Sequence, residues 1–447
     1  MIYLLRGAAT LSKSIALVAG LSLVSTAALA DDLKEAIDQD YRSHLAPLFK
    51  HFHANPELSS AEHQTAKRIA KELRAVGFEV HEGIGGTGII ALLKNGDGPV
   101  VMVRADMDGL PLEEKSGLPY ASKAKQTHPE SGEVFPVMHA CGHDVHITAL
   151  IGTARQMAKR KSEWQGTLML VGQPAEETIS GAKAMMAENI WQRFPKPDYA
   201  LAWHVAAGLE VGKINLINVP FSGSDTVDIF ITGIGAHGAS PQAGKDPVVL
   251  GSQIVLALQT LVSRELAPME AGVVTVGAFH SGTKHNIISD AAHLQLTVRN
   301  NSEETRKTLL DGIARIAENM GRVAGLPEDK LPKVEVWDNG VPPTVNNIEL
   351  MARLGTLWKA TLGEDAVMHK EKTGMGAEDF GLFTTPDDIP SVYASVGGTS
   401  TADLQAARRG ELTIASHHSP LFKIDPDGSV PLTVEASVIA LLDLMAR

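Results

Sequence analysis

The chain has 447 residues, 44% of them hydrophobic and 21% charged, with a formal net charge of −12 and a single cysteine, Cys141. That profile fits a globular enzyme long enough for two cored domains and excludes a mostly disordered chain. The acidic balance argues against nucleic acid and anionic membranes as partners, and one cysteine excludes an intrachain disulfide.

From the N-terminus, Arg6 and Lys13 precede a short apolar run at 15–24, and Ala28-Leu29-Ala30 stands before Asp31 and Asp32. Residues 1–30 therefore read as a removable secretion signal, which predicts a periplasmic or secreted protein with no stable membrane association. A lone thiol in an oxidising compartment is a liability unless it is buried or coordinated. Apolar periodicity predicts helices over 33–52 and 61–76, the second ended by Gly77. Strands follow at 88–93, 100–104, 167–171 and 199–203, with a helix at 146–160. This alternation predicts the α/β class, with a central, largely parallel sheet flanked by helices and ligands gathered at the strand ends. The middle third reads as strand 226–232, helix 247–266, strands 273–280 and 291–299, helix 303–323 and strand 333–337, the βαββαβ order of a ferredoxin-like domain. A helix at 347–362, a strand at 393–396 and a final helix at 430–445 can rejoin the first sheet. The expected organisation is a signal at 1–30, a catalytic domain in two parts at 31–217 and 332–447, and an inserted domain at 218–331.

Cys141 and His143 follow a Gly-flanked turn in His139-Ala-Cys-Gly-His143-Asp144, so a thiolate and an imidazole can face one point. Strand 167–171 runs into Gln173-Pro-Ala-Glu176-Glu177, strand 199–203 into His204, and His417-His418-Ser-Pro420 offers further imidazoles. A buried pair of adjacent carboxylates is costly unless a cation is present or one of them is protonated, and metal coordination would resolve that cost for Glu176-Glu177 at a strand end. One glutamate then ligates while its neighbour moves protons. Cysteine, histidine and carboxylate donors suit zinc or manganese, and also cobalt or nickel. Asp106 and Asp108, after strand 100–104, are placed to orient a ligating histidine.

With these motifs in view, the chain resembles family twenty of the metallopeptidases, subfamily D, which holds hippurate hydrolases, N-acyl-amino-acid amidohydrolases and auxin-conjugate hydrolases. The resemblance spans nearly the whole chain after the signal. It rests on Arg104-Ala-Asp-Met-Asp-Gly-Leu-Pro-Leu112, Met138-His-Ala-Cys-Gly-His-Asp-Val-His146, Gln173 to Glu177, Gly235-Ala-His237, Asn286-Ile-Ile, Glu378-Asp-Phe380 and His418-Ser-Pro420. It implies two divalent metal ions held by Cys141, His143, Glu177, His204 and His418, with the Cys141 sulfur bridging them and Glu176 as general acid/base. His418, directly before Ser-Pro, takes the family position ahead of His417. The inserted domain is similar to the family's lid and dimerisation domain, which implies a homodimer or higher oligomer. His237 on it resembles the histidine that stabilises the oxyanion, and Asn286 and Arg299 resemble residues that hold the substrate carboxylate. Glu378, Asp379 and Phe380 are expected to shape the pocket. Gln242 follows Pro241 where many relatives carry a second histidine. The expected activity is hydrolysis of the amide of N-acyl or aryl-acyl amino acids. A dipeptidase or carboxypeptidase is the nearest alternative, and a non-catalytic metal-dependent binding protein for amino-acid conjugates a remote one.

Overall fold

The computed structural model describes residues 32–386 and 388–447, so the signal expected over 1–30 lies outside the described residues. Four strands run parallel as neighbours in the order Gly166–Gln173, Val100–Asp106, Tyr199–Glu210 and Ser391–Thr399. Glu79–Ile84 and Gly88–Asn95 extend one edge antiparallel, and the short strands Ile214–Asn215 and Val367–Met368 complete the other, giving eight strands. Both faces are covered, which explains the near-continuous apolar runs of the central strands. Along Val100–Asp106, Val101, Val103 and Ala105 join one core while Met102 joins the other, and Leu168 and Leu170 alternate with Met169 and Val171 in the same way. Helices His143–Lys159, Ile348–Leu362 and Pro426–Leu444 cover the larger core with the two early helices. Within it Trp358 packs 5.2 Å from Trp203 and donates to the Ala436 carbonyl at 2.9 Å.

Two differences from the expected elements bear on function. The helix expected at 146–160 begins at His143, because Gly142 takes a left-handed conformation (φ 89°) that turns the chain into its first turn. The strand expected to stop at residue 203 continues to Glu210. It pairs with Val100–Asp106 only from Tyr199 to Ala202, while Ser391–Thr399 accompanies it past His204. Its apolar run ends where one partner leaves, but pairing on the other side holds it extended.

The small sheet has the order Gly272–Ser281, Ala291–Asn300, Gly223–Thr232, Lys333–Val336, all antiparallel. Helices Pro247–Thr260 and Glu303–Val323 cover it, completing an inserted βαββαβ ferredoxin-like unit with its own core. Because Lys333–Val336 pairs with Gly223–Thr232, this unit extends beyond the boundary expected at 331. The chain enters and leaves it side by side, with bridges between Phe221 and Thr344 and between Ser224 and Val341. By length and composition alone Pro247–Glu265 could cross a membrane, where the sequence predicts no span after the N-terminal run. Its Leu250, Ile254, Leu258 and Leu261 are buried in the small core, as in a core helix.

Candidate metal centre

The site forms where Tyr199–Glu210 parts from Val100–Asp106. Beyond Ala202 the Val205 N–H has no partner on that neighbour and donates instead to His146 Nε2 at 2.8 Å. A backbone N–H can only donate, so the His146 proton sits on Nδ1, 2.5 Å from Asp106 Oδ1. His146 is thus a wedge between the strands with both nitrogens engaged. Its position three residues after His143, on the same helix face, was the sequence signal for it. Asp106 is held from behind by Arg104, fully buried, whose guanidinium also meets Gln173 Oε1 at 2.7 Å, Glu378 at 3.0 Å and Asp379 at 3.6 Å. Burial pushes the Glu378 carboxyl up to about 8 and that of Asp379 to about 6, against the pull of Arg104.

In front of this layer, His143 Nδ1 lies 2.9 Å from the Asp108 carbonyl and 3.1 Å from its Oδ1. That bond fixes the ring and leaves Nε2 pointing at the glutamates, 3.6 Å from Glu176 and 3.9 Å from Glu177. His143 Nε2 and Glu177 Oε1 are both buried without a hydrogen-bond partner. Two such orphaned lone-pair atoms are what a cation would satisfy, so the donor set fits metal. Cys141 Sγ stands 3.4 Å from His204 Nε2, whose other nitrogen bonds the Val205 carbonyl at 2.7 Å. Cys141 falls in two groups able to hold an ion, one with His204 and His417 and one with Glu177 and His418; His143, Asp108 and Glu176 form another. Burial pushes the Cys141 thiol well above its ordinary value, so without a cation it stays protonated. Burial likewise raises the Glu176 carboxyl, with Glu378 and Glu177 adding to the effect and His143 opposing it.

The two adjacent histidines differ in what their nitrogens do. His417 Nε2 accepts from the Ala207 N–H at 3.1 Å, which puts its proton on Nδ1, 3.8 Å from Cys141 Sγ. His417 is therefore arranged as a donor to the sulfur, and burial lowers its pKa to about 4. His418 carries a left-handed backbone (φ 63°), is tied to the Ala140 carbonyl at 2.9 Å, and places Nε2 3.2 Å from Glu177. Ala175 (φ 48°) and Ile179 (φ 53°) are also left-handed and bracket the glutamates. Strain of this kind in a β-branched residue persists only where surrounding structure imposes it.

Arg299, on the face of Ala291–Asn300 opposite the small core, lines a cavity of about 450 Å³ with Cys141, Glu176, Glu177, His204 and His418. Its Nη1 is buried without a partner, and burial lowers its pKa despite Asp225. His237 and Asn286 are not among the residues lining this cavity. They lie together on an exposed ribbon, Ala236–His237 paired with Ile287–Ile288, where the Gly238 N–H donates to the Asn286 carbonyl at 2.8 Å.

A parallel-sheet domain with histidine, cysteine and carboxylates at its strand ends, carrying an inserted ferredoxin-like unit, defines a metal-dependent hydrolase of linear amides. The chain belongs to peptidase family M20/M25/M40, whose model matches residues 102–408. It is 37% identical over 333 residues to the hippurate hydrolase of Campylobacter jejuni, covering 74% of this chain and 82% of that protein. It is 32% identical over 404 residues to thermostable carboxypeptidase 2 of Saccharolobus solfataricus, covering 89% and 94%. Among solved structures, the Bacillus subtilis YXEP protein, a dinuclear metal-binding peptidase of the M20 family, superposes with a TM-score of 0.73 at 26% identity, covering 92% of this chain and all of that one.

Proposed function

We propose that the protein is an exported amidohydrolase that cleaves N-acyl or aryl-acyl amino acids at a centre of two divalent ions. One observation carries this reading: Arg299 Nη1, His143 Nε2 and Glu177 Oε1 are buried without partners, Arg299 and Glu177 line one cavity, and His143 Nε2 lies 3.9 Å from Glu177. A carboxylate held by Arg299 sets the neighbouring amide against the metal-ligating groups. Cys141, His143, Glu177, His204 and His418 would hold zinc or manganese, with cobalt and nickel compatible with the same donors. Bound there, the ions supply Lewis-acid polarisation and an acidified water. Glu176 takes the water's proton and delivers it to the leaving nitrogen, its raised affinity for protons suiting both halves of the task. His237 and Asn286 take part when the inserted unit closes as a lid, His237 stabilising the developing oxyanion and Asn286 the carboxylate. Changing Glu176→Gln is expected to leave metal content intact and lower kcat at least a thousandfold on N-benzoyl-glycine. Turnover retained by the metal-loaded variant would remove Glu176 from this role.

A carboxypeptidase reading is favoured by the same Arg299, which would equally hold a peptide's C-terminal carboxylate, and by the likeness to the Saccharolobus protein. Comparing N-benzoyl-glycine with dipeptides ending in glycine separates the two. Stoichiometric release of both products excludes a binding protein without turnover.

A further inference from the structure

Glu177 borders a second cavity, about 420 Å³, beside the one that Arg299 lines; Leu58, Leu110, Pro111 and Pro129 form its apolar wall with His128, and Ser59, Ser60, Glu130, Thr178 and Ser180 supply the polar remainder. Its walls are fixed. The Leu58 N–H donates to Gln126 Oε1 at 2.6 Å, and Gln126 Nε2 donates to the Ala61 carbonyl at 2.9 Å, which staples the loop before residue 62 to the hairpin Lys125–Thr127 and Val134–Pro136. Leu110 exchanges backbone bonds with Met138 at 2.9 and 3.0 Å, and His128 packs edge-on against Phe135 at 5.8 Å. One oxygen of the buried Glu62 accepts both the Ser60 N–H from this wall, at 2.9 Å, and the Ala175 N–H directly before Glu176, at 2.8 Å. The wall and the reacting carboxylates are therefore held by the same atom.

An N-acyl amino acid has two arms on its amide. The arm bearing the carboxylate is directed to Arg299, so the acyl arm must leave the amide on the other side. We infer that the Leu58–Leu110–Pro111–His128–Pro129 cavity is the acyl subsite and that it selects bulky apolar acyl groups, aromatic or medium-chain, over acetyl. The inference rests on the amidohydrolase reading above and extends it to the substrate class. A volume within the usual range of small-molecule sites, roughly 300–1,000 Å³, is poorly filled by a two-carbon acyl group, and unfilled apolar surface contributes nothing to transition-state binding.

The test compares kcat/KM of the metal-loaded enzyme for N-acetyl, N-hexanoyl and N-benzoyl derivatives of one amino acid. The expected wild-type result is a benzoyl-to-acetyl ratio of at least tenfold. Pro111→Trp, which fills the cavity from its exposed rim, is expected to lower that ratio at least tenfold, mainly through KM. Leu110→Ala, which enlarges the cavity, is expected to move the optimum toward longer chains. Varying the amino acid at constant acyl group should show no matching change of preference in either variant. A wild-type ratio near one, or ratios that stay put in both variants while acetyl derivatives are still hydrolysed, overturns the acyl subsite and leaves the amidohydrolase intact. Failure to hydrolyse any N-acyl amino acid overturns the amidohydrolase reading itself. The wild-type series does not depend on either variant folding.

Discussion

A single backbone N–H distinguishes the two neighbouring imidazoles and favours His418 as the proposed ligand. Ala207 occupies His417 Nε2, whereas His418 keeps Nε2 beside Glu177. His418→Ala is therefore expected to reduce the metal bound per chain, read by elemental analysis after dialysis. His417→Ala should keep the count at saturation and weaken affinity about 10–100-fold, as loss of an outer partner does. The opposite pattern would exchange the two roles. Behind the motif, His53 bonds Asp144 at 2.7 Å and Glu114 at 3.0 Å. Burial disfavours its charge, but the two carboxylates outweigh burial and raise its pKa to about 10. A histidine raised in the folded state contributes stability fully present below its unfolded value, near pH 6.5, and lost as pH rises through about 10. The contribution is on the order of a few kcal/mol. The gap in urea midpoint between wild type and His53→Gln should accordingly be widest near pH 6 and narrow toward pH 10.5. A gap that widens with pH would mean that His53 is neutral.

At the scale of elements, the turn Cys141-Gly142 converts a loop into a helix at the ligand itself. A Cβ on Gly142 would need a left-handed backbone and would collide with Val205 Cγ1, on the strand that carries His204. Gly142→Ala is expected to cost about 1–2 kcal/mol for the backbone alone, and more from the collision. Because the displaced strand bears His204, one of the proposed ligands, metal affinity should fall together with Tm; a loss of Tm with unchanged affinity would confine the damage to packing. Most of the architecture was legible: the helix Glu303–Val323 has the bounds that its periodicity predicts, and the βαββαβ order followed from alternation. The hairpin Lys125–Thr127 and Val134–Pro136 was not, because its short polar strands are held by tertiary bonds such as those of Gln126 rather than by an apolar pattern. The site shows the same division. Motif spacing and strand ends pointed to Cys141, His143, the Glu176-Glu177 pair and His204, but the engagement of His146 and His417 depends on where strands separate and on which N–H reaches them. The spacing from His143 places His146 on the same helix face, but the N–H groups that engage His146 and His417 come from the strand Tyr199–Glu210. His237 and Asn286 were expected at the pocket, yet they stand on the exposed ribbon of the inserted unit, so the roles proposed for them require that unit to move or to meet another chain.

Over the whole molecule, helix Pro247–Thr260 leaves Val248, Val249 and Leu256 exposed, the last at 71%, on a unit whose strand Gly272–Ser281 is also an open edge. Apolar residues on one helix beside an unpaired edge fit the homodimer or higher oligomer that the family resemblance implies for this unit. Leu256→Glu is expected to shift sedimentation toward the monomer without altering metal content, and an unchanged mass would place the contact elsewhere. The two crossings into the unit have a further consequence. Phe221 and Thr344 are bridged, so the entry and exit lie about one strand spacing apart, roughly 5 Å. A segment of more than a hundred residues thus joins its host through crossings that lie side by side, with Lys183–Asp338 and Lys372–Asn301 as further contacts between the two. Such a cassette can be exchanged, shortened or permuted during evolution while the register of the parallel sheet, and with it the ligand positions, stays as it was.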